Sequence, residues 1–396
     1  MISQNQMKKI LIFSLAYYPR YVSGAEAAIK EITDRISDIE FHMVTLRFDS
    51  VDPVHERIGN VEVYRIGSSS YLSKMLFPFR AAFFARRLHQ KIQFDSMWAM
   101  MTYMVMPAAL SRFLGVRVPY VLTLQDGDPY EKVFGRLRVK PFLPLINWGF
   151  RRATVIQVIS SFLGTWPGKR GYRGPIELIY NGANPKNLAE DYSKDEALAI
   201  RNRLGKKPSD VYLLNVSRLV HQKANDITIK ALKLLPSNVL LVLVGEGEDE
   251  VMLKTLAEKE GVTNRVKFIG RVDRSEVAKY RNTIVADIFV CPSRSEGLQM
   301  SSLSAMAGRL PVVATQEGGL AEYIFDEKRN PGTPTTAWAV DADSPEQIAE
   351  AVKDIVAHPE KVKEVTERAR AMVFKKYNWD NIGKEMREKV FAKVIS

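Results

Sequence analysis

Short apolar runs recur along the chain, separated by stretches with helical spacing. The first half holds KKILIFSLAY, FHMVTLR, VEVYRIG, DSMWAM, VPYVLTLQ, TVIQVIS and IELIYNG; the second holds VYLLNVS, NVLLVLVGEG, RVKFIGRV, ADIFVCPS, PVVATQEGG and TAWAVDAD. Most are apolar at successive positions rather than alternate ones, which marks a strand covered on both faces. Strands of this kind joined by helices form parallel sheets, and two such series predict an α/β protein of two doubly wound domains. Apolar density falls at NGANPKNLAEDYSKDEA, which predicts one domain over residues 1–185 and a second over 186–376.

Composition narrows the class. The 396 residues, 46% hydrophobic, suffice for two full cores. The single cysteine, Cys291, excludes a disulfide framework and argues against a zinc cluster. The polar opening MISQNQMKK leads into an apolar run too short to cross a bilayer. It reads as a buried strand rather than a secretory leader, so the expected setting is the cytoplasm.

The net charge of +12 is uneven: residues 1–185 carry 24 Lys+Arg against 14 Asp+Glu, and residues 186–396 carry 33 against 31. A basic first half fits nucleic acid, a lipid surface, a phosphorylated acceptor, or simply a soluble basic surface. Within it, FPFRAAFFARRLHQKIQF combines Phe residues with Arg86, Arg87 and Lys91. That suits a helix lying in a lipid interface, and equally one packing its aromatics into the core. Arg151, Arg152, Lys169, Arg170 and Arg173 add to the positive surface, and the methionines from Met97 to Met106 read as core. No nucleic-acid module is recognisable. The first strand is not followed by Gly-x-Gly-x-x-Gly, which disfavours a dinucleotide oxidoreductase.

Parallel sheets bind ligands beyond the carboxyl ends of their strands, so the turns there hold the candidate chemistry. In VSRLVHQKAND, Arg218 leaves a strand and Lys223 precedes a helix. Two such cations can straddle a diphosphate, or be ordinary surface charges. In SRSEGLQMSS, Gly297 permits close approach, and the amides of Gly297, Leu298, Gln299 and Met300 at a helix start favour a phosphate oxygen. Glu296 is an acceptor for a ligand hydroxyl or a helix cap, and Ser304, eight residues on, is expected on the same helix face. TQEGGLAEY repeats the arrangement, with Gly318 and Gly319 before a helix and Glu322 on its first turn. Gly245 and the pair Arg271–Val272 occupy further strand-end turns. In QDGDP, Asp126 and Asp128 form an Asp-x-Asp pair, but two exposed aspartates are too few for a hard cation and the stretch also reads as a turn.

Taken in order, these motifs resemble family 4 glycosyltransferases, retaining enzymes of the GT-B fold. Glu296, LSAMAGRLPVVAT and Gly318–Gly319 match the family's donor domain, as do SRLVHQK, LVLVGEGED, VKFIGRV and FKKYNWDNIG. The first half matches more loosely through YYPRYVSGAEAAIKEI, TLQDGDP and LIYNGAN. The resemblance implies two Rossmann-like domains facing a central cleft, with a last helix, about 377–396, returning to the first domain. It implies transfer of a hexose from a UDP- or GDP-linked sugar to a glycan or lipid-linked acceptor, without cofactor or metal. The basic first half adds the inner face of the cell membrane as one expected setting beside the open cytoplasm. Nucleic acid is not an implied partner.

The resemblance also assigns roles. Arg218, Lys223 and Glu296 become catalytic. Gly245, Arg271, Val272, Gly297, Leu298, Gln299, Met300, Ser304, Gly318 and Gly319 become donor-binding. Ser23, Gly24, Gln125 and Asp126 fall on the acceptor side. Three positions depart from the family: its second Glu is Ser304, its His-Asp is Gln125–Asp126, and its N-terminal Gly-Gly is Ser23–Gly24. A non-catalytic relative that binds sugar nucleotides or glycans is the main alternative, and a nucleic-acid-binding protein the weaker one.

Overall fold

The computed structural model describes residues 7–183 and 194–395. The expected boundary at 185/186 lies outside them. The chain divides into two units, one made of Met1–Asn181 with Trp379–Ser396 and the other of Gly182–Asn378.

The first unit is built on β1 (Lys8–Phe13), β2 (Ile39–Leu46), β3 (His55–Ile58), β4 (Val61–Ile66), β5 (Ser96–Met100), β6 (Tyr120–Leu124), β7 (Val155–Val158) and β8 (Ile176–Leu178). They form one sheet in the order β3-β4-β2-β1-β5-β6-β7-β8. Every neighbouring pair is parallel except β3–β4. In β1 the side chains of Ile10, Leu11, Ile12 and Phe13 are wholly buried, the outcome its unbroken apolar run predicts. The strand β3 is absent from the sequence reading. Its HERI segment is exposed and half-buried by turns at the sheet edge, so it carries no apolar run.

Two helices of this unit matter below. In α1 (Gly24–Thr33), the Glu26 carboxylate accepts from both the backbone N–H and the hydroxyl of Ser23, at 2.7 and 2.5 Å. Both bonds hold the residue before the helix against its first turn and fix the helix start. In α2 (Tyr71–Ile92), one face buries Phe77, Ala81, Ala82, Ala85 and Leu88. The other leaves Leu72, Met75 and Phe83 exposed among Lys74, Arg86, Arg87 and Lys91. The chain's last described segment completes the unit. Asp380 pairs with Arg35 at 2.6 Å, Arg387 with Asp38, and Phe391 packs on Phe41 and Trp98.

The second unit holds β9 (Val211–Val216), β10 (Val239–Val244), β11 (Val266–Gly270), β12 (Ile288–Cys291), β13 (Val312–Thr315) and β14 (Trp338–Val340). All are parallel, in the order β11-β10-β9-β12-β13-β14. Its core is aliphatic, with Leu213, Leu243, Ile288 and Val313 fully buried. The winding reverses between β9 and β12. Ligands of open α/β sheets bind at such a switch point. No helix of the described residues is long and apolar enough to cross a membrane.

Candidate active site

The switch point brings two strand-end loops side by side, Ser217–Lys223 after β9 and Pro292–Gln299 after β12. Gln222 ties them together. Its Nε2 donates to the Ser295 carbonyl at 2.6 Å, and its own carbonyl accepts from Arg294 N at 2.8 Å. Arg294 is bound in turn by Asp226 and Asp343, at 2.8 and 2.7 Å, so this cation braces the loop. Two further loops pack on this pair backbone to backbone. A Cβ on Gly245 (φ +142) would come within 1.9 Å of the Ser217 carbonyl, and one on Gly318 (φ +61) within 2.2 Å of the Glu296 carbonyl. That same Glu296 carbonyl accepts from Gly319 N at 2.8 Å. These glycines are required by the protein's own close approaches.

Glu296 sits at the centre, 4% exposed. Three donors converge on its Oε1: Lys223 Nζ at 2.6 Å, Ser293 Oγ at 2.8 Å and Gln299 Nε2 at 3.1 Å. No described residue donates to Oε2. One carboxylate oxygen is therefore committed to the protein, and the other keeps its lone pairs for a ligand hydroxyl. Arg218 is exposed, with no ion-pair partner among the described residues. Arg271 is exposed beside Glu246 at 3.5 Å, and Val272 is half-buried.

The helix begins later than the sequence predicts. It runs from Met300 to Ala307 with Gln299 as its cap, so Glu296 lies in the preceding loop and shares no helix face with Ser304. The amides of Gly297, Leu298 and Gln299 belong to that loop and that of Met300 to the first turn. None has an acceptor among the described residues. Ser304 is buried, and its hydroxyl donates to the Met300 carbonyl one turn back at 2.6 Å. The Gly318–Glu322 stretch does not precede a helix but is itself a short 3-10 turn. Beyond the predicted set, Tyr323 supports the cap: its hydroxyl meets Ser302 Oγ at 2.6 Å and donates to the Gln299 carbonyl at 3.1 Å.

In the first unit, Ser23 and Gly24 stand exposed at the start of α1. Gln125 Oε1 accepts from Asn181 Nδ2 at 2.9 Å. Asp126 is buried after β6, and its Oδ2 accepts from Thr102 Oγ1 at 2.6 Å and Thr102 N at 3.3 Å. That contact holds the turn in which Met101 adopts φ 76. Asp128 faces other partners, Lys132 and Arg136, each at 2.9 Å.

Burial pushes the Asp126 carboxyl above the usual carboxylate range. The folded state therefore holds this proton more tightly than the unfolded one. Stability falls as pH rises from the unfolded value through the folded one, then levels off. Asp126→Asn keeps an acceptor for Thr102 without the charge. It is expected to raise Tm at neutral pH, with the gain shrinking on acidification. Scanning calorimetry that finds no gain at neutral pH refutes this.

Comparison with known proteins agrees with this architecture. The fold is that of the GT-B glycosyltransferases, two Rossmann-like domains. Sucrose-phosphate synthase from Thermosynechococcus elongatus superposes with a TM-score of 0.82 at 19% identity, covering 97% of this chain and 99% of the other. An Anabaena protein crystallised with UDP-glucose does so with 0.78 at 20% identity, covering 97% and 99%. Residues 197–372 match the family described as glycosyl transferases group 1. An uncharacterized glycosyltransferase of Methanocaldococcus jannaschii is 27% identical over 95% of this chain and 96% of its own. A GDP-mannose-dependent phosphatidylinositol monomannoside mannosyltransferase of Mycobacterium tuberculosis is 28% identical over 59% of this chain and 60% of its own.

Proposed function

We propose that this protein is a retaining, metal-independent glycosyltransferase. Its second unit binds a UDP- or GDP-linked hexose, and its first unit takes a glycan or lipid-linked acceptor in cell-surface polysaccharide or glycolipid synthesis. The observation that carries this reading is the constellation at the switch point: Lys223 on one Glu296 oxygen, Arg218 nearby in sequence, and, among the described residues, no donor to the other oxygen and no acceptor for four loop amides. The M. tuberculosis relative's GDP-mannose dependence and the Anabaena protein's bound UDP-glucose support a nucleotide sugar.

Loss of the diphosphate as leaving group develops negative charge on its oxygens. Arg218, Lys223 and the loop amides oppose that charge most strongly in the transition state. The acceptor oxygen bonds to the sugar's anomeric carbon on the face the diphosphate leaves, and its proton passes to a phosphate oxygen. The Cys291 thiol is no nucleophile here: it is fully buried, and burial pushes it up to about 12.

The exposed apolar ridge of α2, beside cations that have no ion-pair partner among the described residues, fits the inner face of an anionic membrane. A binding and hydrolysis screen of UDP-, GDP- and ADP-sugars tests the donor. One UDP- or GDP-sugar is expected to bind and hydrolyse slowly. Binding without turnover favours the non-catalytic alternative, to which the internally bonded Ser304 hydroxyl lends support. The same preparation should pellet with anionic vesicles and not neutral ones, since each basic residue near such a surface contributes about 1 kcal/mol. Salt should release it. Equal binding to both vesicle types, or to neither, counts against the membrane.

A further inference from the structure

We infer that the Gln299 side chain is a positioning residue for Glu296, and that the Cys291 thiol fixes the Gln299 amide in the working orientation. The inference rests on the donor-site reading above and deepens it. Gln299 Nε2 donates to Glu296 Oε1 at 3.1 Å, while Gln299 Oε1 accepts from the Cys291 thiol. The reversed amide would set its oxygen against the carboxylate, two acceptors with no proton between them. It would also take away the thiol's acceptor and leave the sulfur as only a weak acceptor for the NH2 group.

The thiol remains a donor because burial, reinforced by the Glu296 charge, keeps it protonated. The Gln299 backbone is fixed as well, because its carbonyl accepts from Ser302 Oγ at 2.9 Å and Tyr323 OH at 3.1 Å. Gln299 is itself buried, which shields these bonds from competing water.

The consequence concerns the carboxylate's rotation. Lys223 from the loop after β9 and Ser293 and Gln299 from the loop after β12 all reach Oε1, so turning the group would break three hydrogen bonds together. Oε2 is thereby held toward the ligand before any ligand arrives, which is preorganisation of an acceptor.

The test uses the full chain and compares Gln299→Leu, Cys291→Ala, Cys291→Ser and Glu296→Ala. Gln299→Leu keeps bulk and removes the donor. It is expected to lower kcat about tenfold, as for loss of a hydrogen bond to a charged group. Affinity for free UDP or GDP should stay within about twofold. The acid limb of the pH–rate profile should move up, because a carboxylate that loses a donor holds its proton more tightly. The other ionisable groups facing Glu296 are Lys223 from the loop after β9, Cys291 from β12 and Tyr323 from the turn after β13. Of these, burial keeps the Cys291 thiol and the Tyr323 phenol neutral across that limb.

Cys291→Ser retains a donor and should behave like the parent, whereas Cys291→Ala should shift the limb in the same direction as Gln299→Leu. An unmoved limb and parental kcat in Gln299→Leu, beside an inactive Glu296→Ala, overturn the positioning role alone. Parental transfer in Glu296→Ala overturns the donor reading instead. Equal behaviour of the two Cys291 variants overturns the thiol's part. Should Gln299→Leu lose its near-UV circular dichroism, the serine-against-alanine comparison at Cys291 decides the matter.

Discussion

Glu296→Ala is expected to lower sugar transfer by on the order of a hundredfold or more, while free nucleoside diphosphate binds nearly as well as to the parent. The asymmetry follows from which oxygen is available. On the proposed reading Oε2, which has no donor among the described residues, meets a hydroxyl of the transferred sugar, and the free nucleotide has no sugar to present. Removing the carboxylate also releases Lys223, whose ammonium lies 2.6 Å from it. A released lysine can swing toward the phosphates, so nucleotide affinity has no reason to fall. Glu296→Gln keeps the volume and one acceptor and should fall between parent and alanine. Calorimetric titration of UDP and GDP beside turnover of the matching sugar nucleotide checks both halves. Equal loss in binding and transfer would move Glu296 from the sugar to the nucleotide.

Arg218→Ala and Lys223→Ala should each cut turnover on the order of a hundredfold, and should separate in stability. Arg218 is exposed without an ion pair among the described residues, so its removal should leave Tm unchanged. Lys223 is different. Its side chain is 12% exposed against a Glu296 carboxylate that is 5% exposed. Removing it strands a buried charge, and such losses cost on the order of 3 kcal/mol. Lys223→Ala should therefore melt earlier, and nucleotide should raise its Tm by less than the parent's, because a diphosphate contact is gone. Combining it with Glu296→Ala should recover part of the loss, since the stranded charge goes too. If both single variants turn over like the parent, the cations do not serve the diphosphate.

The parts of the fold that were legible in the sequence are those where burial is two-sided. The strands β1 and β10 announce themselves through KKILIF and VLLVLV, because no face of either needs a polar residue. The strand β3 escapes notice because an edge strand with charged side chains looks like a loop. The α2 segment left two readings open: Phe77 is core, as the packing reading expects, while Phe83 is exposed, which a sequence pattern alone does not separate. At the site, Arg218, Lys223 and Glu296 stand out as charges at strand ends. Their supports do not. Gln222 and Ser295 are 73 residues apart, and only the parallel neighbourhood of β9 and β12 makes them touch. The late helix start was illegible for a local reason. Gly297 is the sole breaker in EGLQM, and the hydrogen bonds that hold Gln299 as a cap come partly from Tyr323, far along the chain.

The chain leaves the first unit at Asn181 and rejoins it at Trp379. During synthesis this order has a cost in time. When the ribosome has made β1 to β8, Trp98 and Phe41 still lack Phe391, which packs against both, and Arg35 and Asp38 still lack Asp380 and Arg387. The second unit is a continuous segment and can close its own sheet as it emerges. The first must wait, with an apolar seam open, until roughly two hundred more residues have been added, about ten to forty seconds at ordinary elongation rates. A fragment that ends before Trp379 and has been released from the ribosome should accordingly show a protease-resistant second unit and a first unit that is still cut.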